Sequence, residues 1–143
     1  MNSNNQGGSR GRSKSNEEII KQIASGNYGN NILSSWKTQI RHIIIEKMTV
    51  VLINLNELYP YVKEYPEDTF EENVKRLSNA ILSFDCPPFT IQRLAEILIE
   101  SSPNNIYQIK NTNVYIRRLV KMVSVTSTIG AWLIDGVVYV SRY

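Results

Sequence analysis

His42 and Cys86 are the two side chains with the widest chemical reach, and the chain holds one of each. A cysteine nucleophile needs a base beside it to make the thiolate. Cys86 has prolines after it and no histidine near it in sequence, so it reads as an inert thiol. A lone histidine inside an apolar-periodic stretch is more often a packed or solvated residue than a catalyst. No His/Cys spacing suits a metal. The carboxylate pairs Glu17/Glu18 and Glu71/Glu72 fall where helices begin, and the helix dipole accounts for them there. "GNYGNN" lacks the lysine and the strand–helix context of a phosphate-binding loop. These residues predict no enzyme, no cofactor and no metal.

The remaining chemistry is charge. Lys110, Arg117, Arg118 and Lys121 cluster in one stretch. The net charge of +3 has a different origin, since Arg10, Arg12 and Lys14 lie in residues 1–16, which hold no acid. The other residues balance 13 basic against 13 acidic. Within them, 64–102 has eight acids and three bases, and 103–143 has five bases and one acid. A body that is neutral but charge-separated suits oriented docking better than nucleic-acid affinity, which needs a net basic footprint. The lone cysteine and the absence of an apolar centre near the N-terminus point to a reducing interior. No run of about 18 apolar residues is present, so no membrane span is expected.

The elements that must position these residues read as follows. Residues 1–14, rich in Asn, Ser, Gly and Arg, are expected to be a disordered basic tail. Ser15 and Glu18 form a capping box ahead of an apolar stripe, Ile19, Ile20, Ile23 and Ala24, and Gly26-Asn27 ends that helix. From about Leu33 to Leu58, Trp36, Ile40, Ile43, Ile44, Met48, Val51, Leu55 and Leu58 hold helical spacing, with a face wide enough for burial on several sides. "YPYVKEYPED" breaks the chain. Asp68, with Glu71, is expected to cap the next helix, whose face is Phe70, Val74, Leu77, Ile81 and Phe84. Pro87 and Pro88 forbid its continuation. Thr90 then caps a helix with Ile91, Leu94, Ala95 and Leu98 inward, and Phe89 and Leu94 stand at hydrophobic-staple positions, so Phe89 is expected in the core. Thr112 or Asn113 caps a helix to about Met122. "VSVTST" reads as strand, and "AWLIDGVVYV" as a hairpin on Asp135-Gly136.

That order predicts a mainly α (α+β) fold. Its N-terminal helical half, 15–62, packs on a winged-helix-like half, 68–143, with a small β-hairpin, the two forming one globular domain over 15–143.

"PPFTIQRLAEIL" closely resembles the "PFTIQRLCELL" motif of regulatory subunit 2 of protein phosphatase 4. "ILSSWKTQIRHIIIEKMTVVL", with its Trp36, resembles that family's long upstream helix. "TFEENVKRLSNAIL" resembles the helix that feeds the motif, and "YIRRLVKMVSVTST" the segment "FLRALEKNLLVVSTV". The likeness runs over roughly residues 17–128. It implies a non-catalytic regulatory or scaffold subunit that binds the phosphatase catalytic subunit and helps assemble it with regulatory subunit 3, in nucleus and cytoplasm. Two departures matter. The family's Cys is Ala95 here, and the long acidic tail usual in the family does not follow Tyr143, so contacts of that tail are not carried over. Polar positions that a fold does not itself require are the candidate partner contacts: Gln92, Arg93, Arg117, Arg118 and Lys121. Gln92 and Arg93 are equally suited to tying their helix to its neighbours. The alternative reading is a winged-helix protein whose Lys110, Arg117, Arg118 and Lys121 meet nucleic acid.

Overall fold

The computed structural model describes residues 15–27, 29, 32, 34–100, 109–124, 129–134 and 137–142. The expected basic tail, most of the "VSVTST" strand and the Asp135-Gly136 turn lie outside them. Five α-helices stand among the described residues: α1 (Asn16–Ala24), α2 (Arg41–Leu58), α3 (Phe70–Leu82), α4 (Ile91–Glu100) and α5 (Thr112–Val123). The fold is mainly helical. Strands β1 (Ile129–Ile134) and β2 (Val137–Arg142) pair antiparallel, with Trp132 opposite Tyr139. Val123 belongs to α5, so the expected strand "VSVTST" does not begin at that residue.

α1 starts and stops as its residues dictate. The Ser15 side chain accepts from the Glu18 amide, and the Glu18 carboxylate accepts from the Ser15 amide at 3.0 Å. At the other end Gly26 takes φ +81°, its N–H bonds the Ile23 carbonyl, and the Asn27 N–H bonds that of Gln22. This pair of bonds closes a Schellman motif, in which the left-handed residue needs no Cβ.

α2 is the hub. It touches α1, α3, α4 and α5. Its apolar residues run around most of the circumference, and Ile43, Ile44, Met48, Val51, Leu52 and Leu55 are buried. A helix that is apolar on several sides earns its place only at the centre of a bundle. One difference from the sequence reading lies at its start. A π-helical turn, Trp36–Ile40, precedes α2, so the segment is not one uninterrupted α-helix. The reason is visible in the packing. Trp36 is buried, and its indole N–H bonds the Phe84 carbonyl at 2.9 Å. Arg41 reaches the same end of α3, with Nη1 2.9 Å from the Leu82 carbonyl and 3.2 Å from that of Phe84. The carbonyls that a helix leaves orphaned at its C-terminus are thus bonded by two side chains from another element.

The proline corner follows from there. Pro87 and Pro88 are buried, and Phe89 is not, at 47% exposed. The expectation of Phe89 in the core is not met: the chain turns at the buried prolines and leaves the Phe89 ring on the surface. Ile91, Leu94, Ala95 and Leu98 are buried as their spacing required, joined by Ile97. The Thr90 hydroxyl donates to the Met122 carbonyl at 2.6 Å, tying the start of α4 to the end of α5.

α3 also starts differently. Thr69, not Asp68, is its N-cap, accepting from the Glu72 amide at 3.1 Å. Asp68 is buried and committed elsewhere. Likewise Asn111, not Thr112 or Asn113, caps α5, accepting from the Val114 amide. Thr112 and Asn113, the two residues after that cap, bond to the loop described next.

Candidate partner-binding surface

The loop between α2 and α3, residues 59–69, is rich in prolines and charges, and side chains hold it in place. The Asn56 side chain accepts from the Tyr61 amide at 2.7 Å. Asp68 anchors the far end. Its carboxylate accepts from the Tyr61 hydroxyl, 2.7 Å from either oxygen, from Asn73 Nδ2 at 2.9 Å, and from the Glu64 amide at 3.0 Å. A buried carboxylate without such donors is strongly disfavoured. These bonds hold the Asp68 carboxyl below its ordinary range, the Tyr61 hydroxyl first among them and Asn73 next. Burial, and then the hydrogen bond to Asp68, push the Tyr61 phenol up to about 12.

α5 docks on the other side of this loop. The Thr112 hydroxyl donates to the Tyr59 carbonyl. Asn113 grips Val62 at two points, accepting from its N–H at 3.0 Å and donating to its carbonyl at 2.7 Å. Tyr115, Ile116, Leu119 and Val123 face inward. Arg117, Arg118 and Lys121 are left exposed on the outward side, beside Val120. Among the described residues the ion pairs are Lys37–Asp85, Lys47–Glu17 and Arg93–Glu96, and none engages these three cations.

Two open hollows of about 380 Å³ each flank the loop. The first lies between the end of α2 and the start of α5, bordered by Leu58, Val62 and Lys110. The second lies between α3 and α5, bordered by Tyr65, Arg76, Val120 and Lys121. Asn113 and Arg117 line both. Among the described residues no cluster of His, Cys, Asp and Glu could hold a metal ion. No described helix is long and apolar enough to cross a membrane.

The five candidate contacts fall in different places. Arg117 and Lys121 line the hollows, and Arg118 is exposed on the same helix. Gln92 and Arg93 border neither hollow. Gln92 is half-buried, with Nε2 3.3 Å from the Ala24 carbonyl, and a Cβ on Gly26 would sit 3.2 Å from the same nitrogen. Of the two roles open to it, the structure displays the tie between α4 and α1. Arg93 is exposed and pairs with Glu96 one turn on, at 3.2 Å. Sequence reasoning missed the Tyr61–Asp68–Asn73 network. A signal was present, because Asn73 stands in the buried row of α3 with Phe70 and Leu77, and a buried amide needs a partner. The two-point grip of Asn113 left no trace in residue spacing.

The sequence model of one family, PPP4R2, matches residues 2–131. No curated protein matches the chain, and no solved structure does.

Proposed function

The chain belongs to the PPP4R2 family, the regulatory subunits 2 of protein phosphatase 4, and from that premise we propose that it binds the phosphatase catalytic subunit without catalysing a reaction itself. The observation that carries the proposal is the family match across almost the whole chain. The surface supports it. Arg117, Arg118 and Lys121 stand exposed without a partner among the described residues, on a helix whose other side is fully committed to the core. Arginine beside exposed apolar side chains is the composition that protein interfaces favour. The proposal extends to a scaffold role that brings in regulatory subunit 3, to one globular domain over 15–143, and to residence in nucleus and cytoplasm. Arg93 belongs to it as a second, separate contact, and Gln92 as the residue that fixes the helix bearing Arg93.

A winged-helix-like arrangement of residues 68–143 is part of the same reading. Its support is the element order, the packing of α5 on α3 and α4, and an isolated β-bridge at Pro88, where a first short strand would lie. No observation favours nucleic acid as the ligand. The test is a titration of purified chain with the protein phosphatase 4 catalytic subunit. Saturable binding supports the proposal, and its absence refutes it.

A further inference from the structure

Eight large hydrophobic side chains are exposed among the described residues: Val50, Ile53, Leu58, Val62, Tyr65, Leu82, Phe89 and Val120. Four of them, Leu58, Val62, Tyr65 and Val120, border the two hollows, so the exposure is concentrated there rather than scattered. Concentrated apolar exposure rimmed by polar groups marks a binding surface. The cations are concentrated in the same place. Lys110 and Arg117 line the first hollow, which has no acid, and Arg76, Arg117 and Lys121 line the second. The second hollow has two acids, Glu64 and Asp68, and the Asp68 carboxylate is already taken by Tyr61, Asn73 and the Glu64 amide. Glu64 is the one acid in either lining whose carboxylate has no internal hydrogen bond among the described residues.

We propose that the two hollows form one docking groove for a short acidic segment of a partner protein, with apolar side chains of that segment seated on Val62, Tyr65 and Val120. Arg117, shared by both hollows, meets carboxylates at the centre of the groove. Charge complementarity selects the occupant's sign, and the exposed apolar rim selects a peptide over a phosphate backbone. A duplex would have to lay its phosphates against Val62, Tyr65 and Glu64, which offer them nothing. The floor of the groove is fixed in advance, because Asn113 grips Val62 and Asp68 pins the loop through Tyr61 and the Glu64 amide, so little ordering is left to be done on binding. This inference deepens the function proposed above and rests on it for which complex the partner belongs to; the chemistry of the groove stands on the residues themselves.

The experiment uses the full chain and a fluorescently labelled peptide in which Glu and Asp alternate with Leu and Phe, read by anisotropy. Saturable binding is expected, weakening as salt rises. Arg117→Ala and Val120→Ser should each weaken it by about tenfold, the effect of removing a central interface side chain. Lys75→Ala, on the exposed side of α3 away from both linings, should bind as the wild type does. Melting temperatures of all variants confirm folding. The proposal is overturned if no binding occurs, if a peptide with Gln and Asn for the acids or Ser for the apolar residues binds as tightly, if Arg117→Ala changes nothing, or if duplex DNA binds more tightly than the acidic peptide. A parallel titration with the phosphatase catalytic subunit separates the two readings. Subunit binding without peptide binding sinks the groove and spares the function. Peptide binding without subunit binding does the reverse.

Discussion

Adjacent residues of α4 separate structure from surface most sharply. Leu94 is fully buried, and Arg93 beside it is exposed and pairs with Glu96. Leu94→Ala should cost about 2–5 kcal/mol, since it removes buried methyl groups and leaves a cavity. Arg93→Ala should cost no more than about 0.5 kcal/mol, the usual effect of a surface change. Urea denaturation of the two variants checks both, and an Arg93→Ala loss as large as that of Leu94→Ala would make Arg93 an internal strut. Asp68 adds a pH signature. Its pKa is lowered on folding, so its contribution is present above the ordinary value of 3.8 and is lost as pH falls through the lower folded value. Tyr61 works at the other extreme. Its folded value of about 12 lies above the ordinary 10.0, so its contribution is full below pH 10 and fades as pH rises toward 12. Asp68→Asn should flatten the acid limb of a melting-temperature profile, and Tyr61→Phe the alkaline limb. The sequence pointed to neither role. An aspartate just ahead of a helix reads as a cap, and only the packed loop reveals that its oxygens are spent on Tyr61, Asn73 and the Glu64 amide.

Local rules decide elements well where the deciding groups are neighbours in sequence. The α1 capping box and its Gly26 stop were both readable for that reason, as was the inward row of α4. Gly26→Ala should destabilise by about 1–2 kcal/mol, because an L side chain resists φ +81°. The new Cβ would also press on Gln92, the tie to α4. Thermal melting measures the loss, and a Gly26→Ala protein as stable as the wild type would show that the turn relaxes freely. Where the deciding partner is distant, sequence spacing failed. The π-helical turn at Trp36–Ile40 accompanies Trp36 and Arg41 reaching across to carbonyls at the end of α3, more than forty positions away in the chain. Phe89 looked like a staple because nothing local says that the turn at the buried Pro87 and Pro88 leaves its ring exposed. The caps of α3 and α5 were each misplaced by a residue or two, since several residues able to cap stand side by side and only tertiary bonding chooses among them.

Across the whole molecule, the charge separation seen in the sequence becomes geography. Arg117, Arg118 and Lys121 lie on the outward side of α5 and Lys110 just before it, while the chain's acids are concentrated in 64–102. The position of α5 is set by bonds from its first turn to the loop at Tyr59 and Val62, so the site exists only when both halves of the chain are folded together. The basic cluster was legible from composition; the hollows beside it, and the apolar side chains that border them, were not, because they arise where two distant segments meet. Family membership places this surface in a phosphatase regulatory subunit. The most direct test is a binding titration of the chain with the protein phosphatase 4 catalytic subunit, run on wild type and on Arg117→Ala/Arg118→Ala. The account predicts saturable binding by the wild type, and binding weakened by about tenfold or more in the variant at an unchanged melting temperature. A wild type that does not bind, or a folded variant that binds equally well, would contradict it.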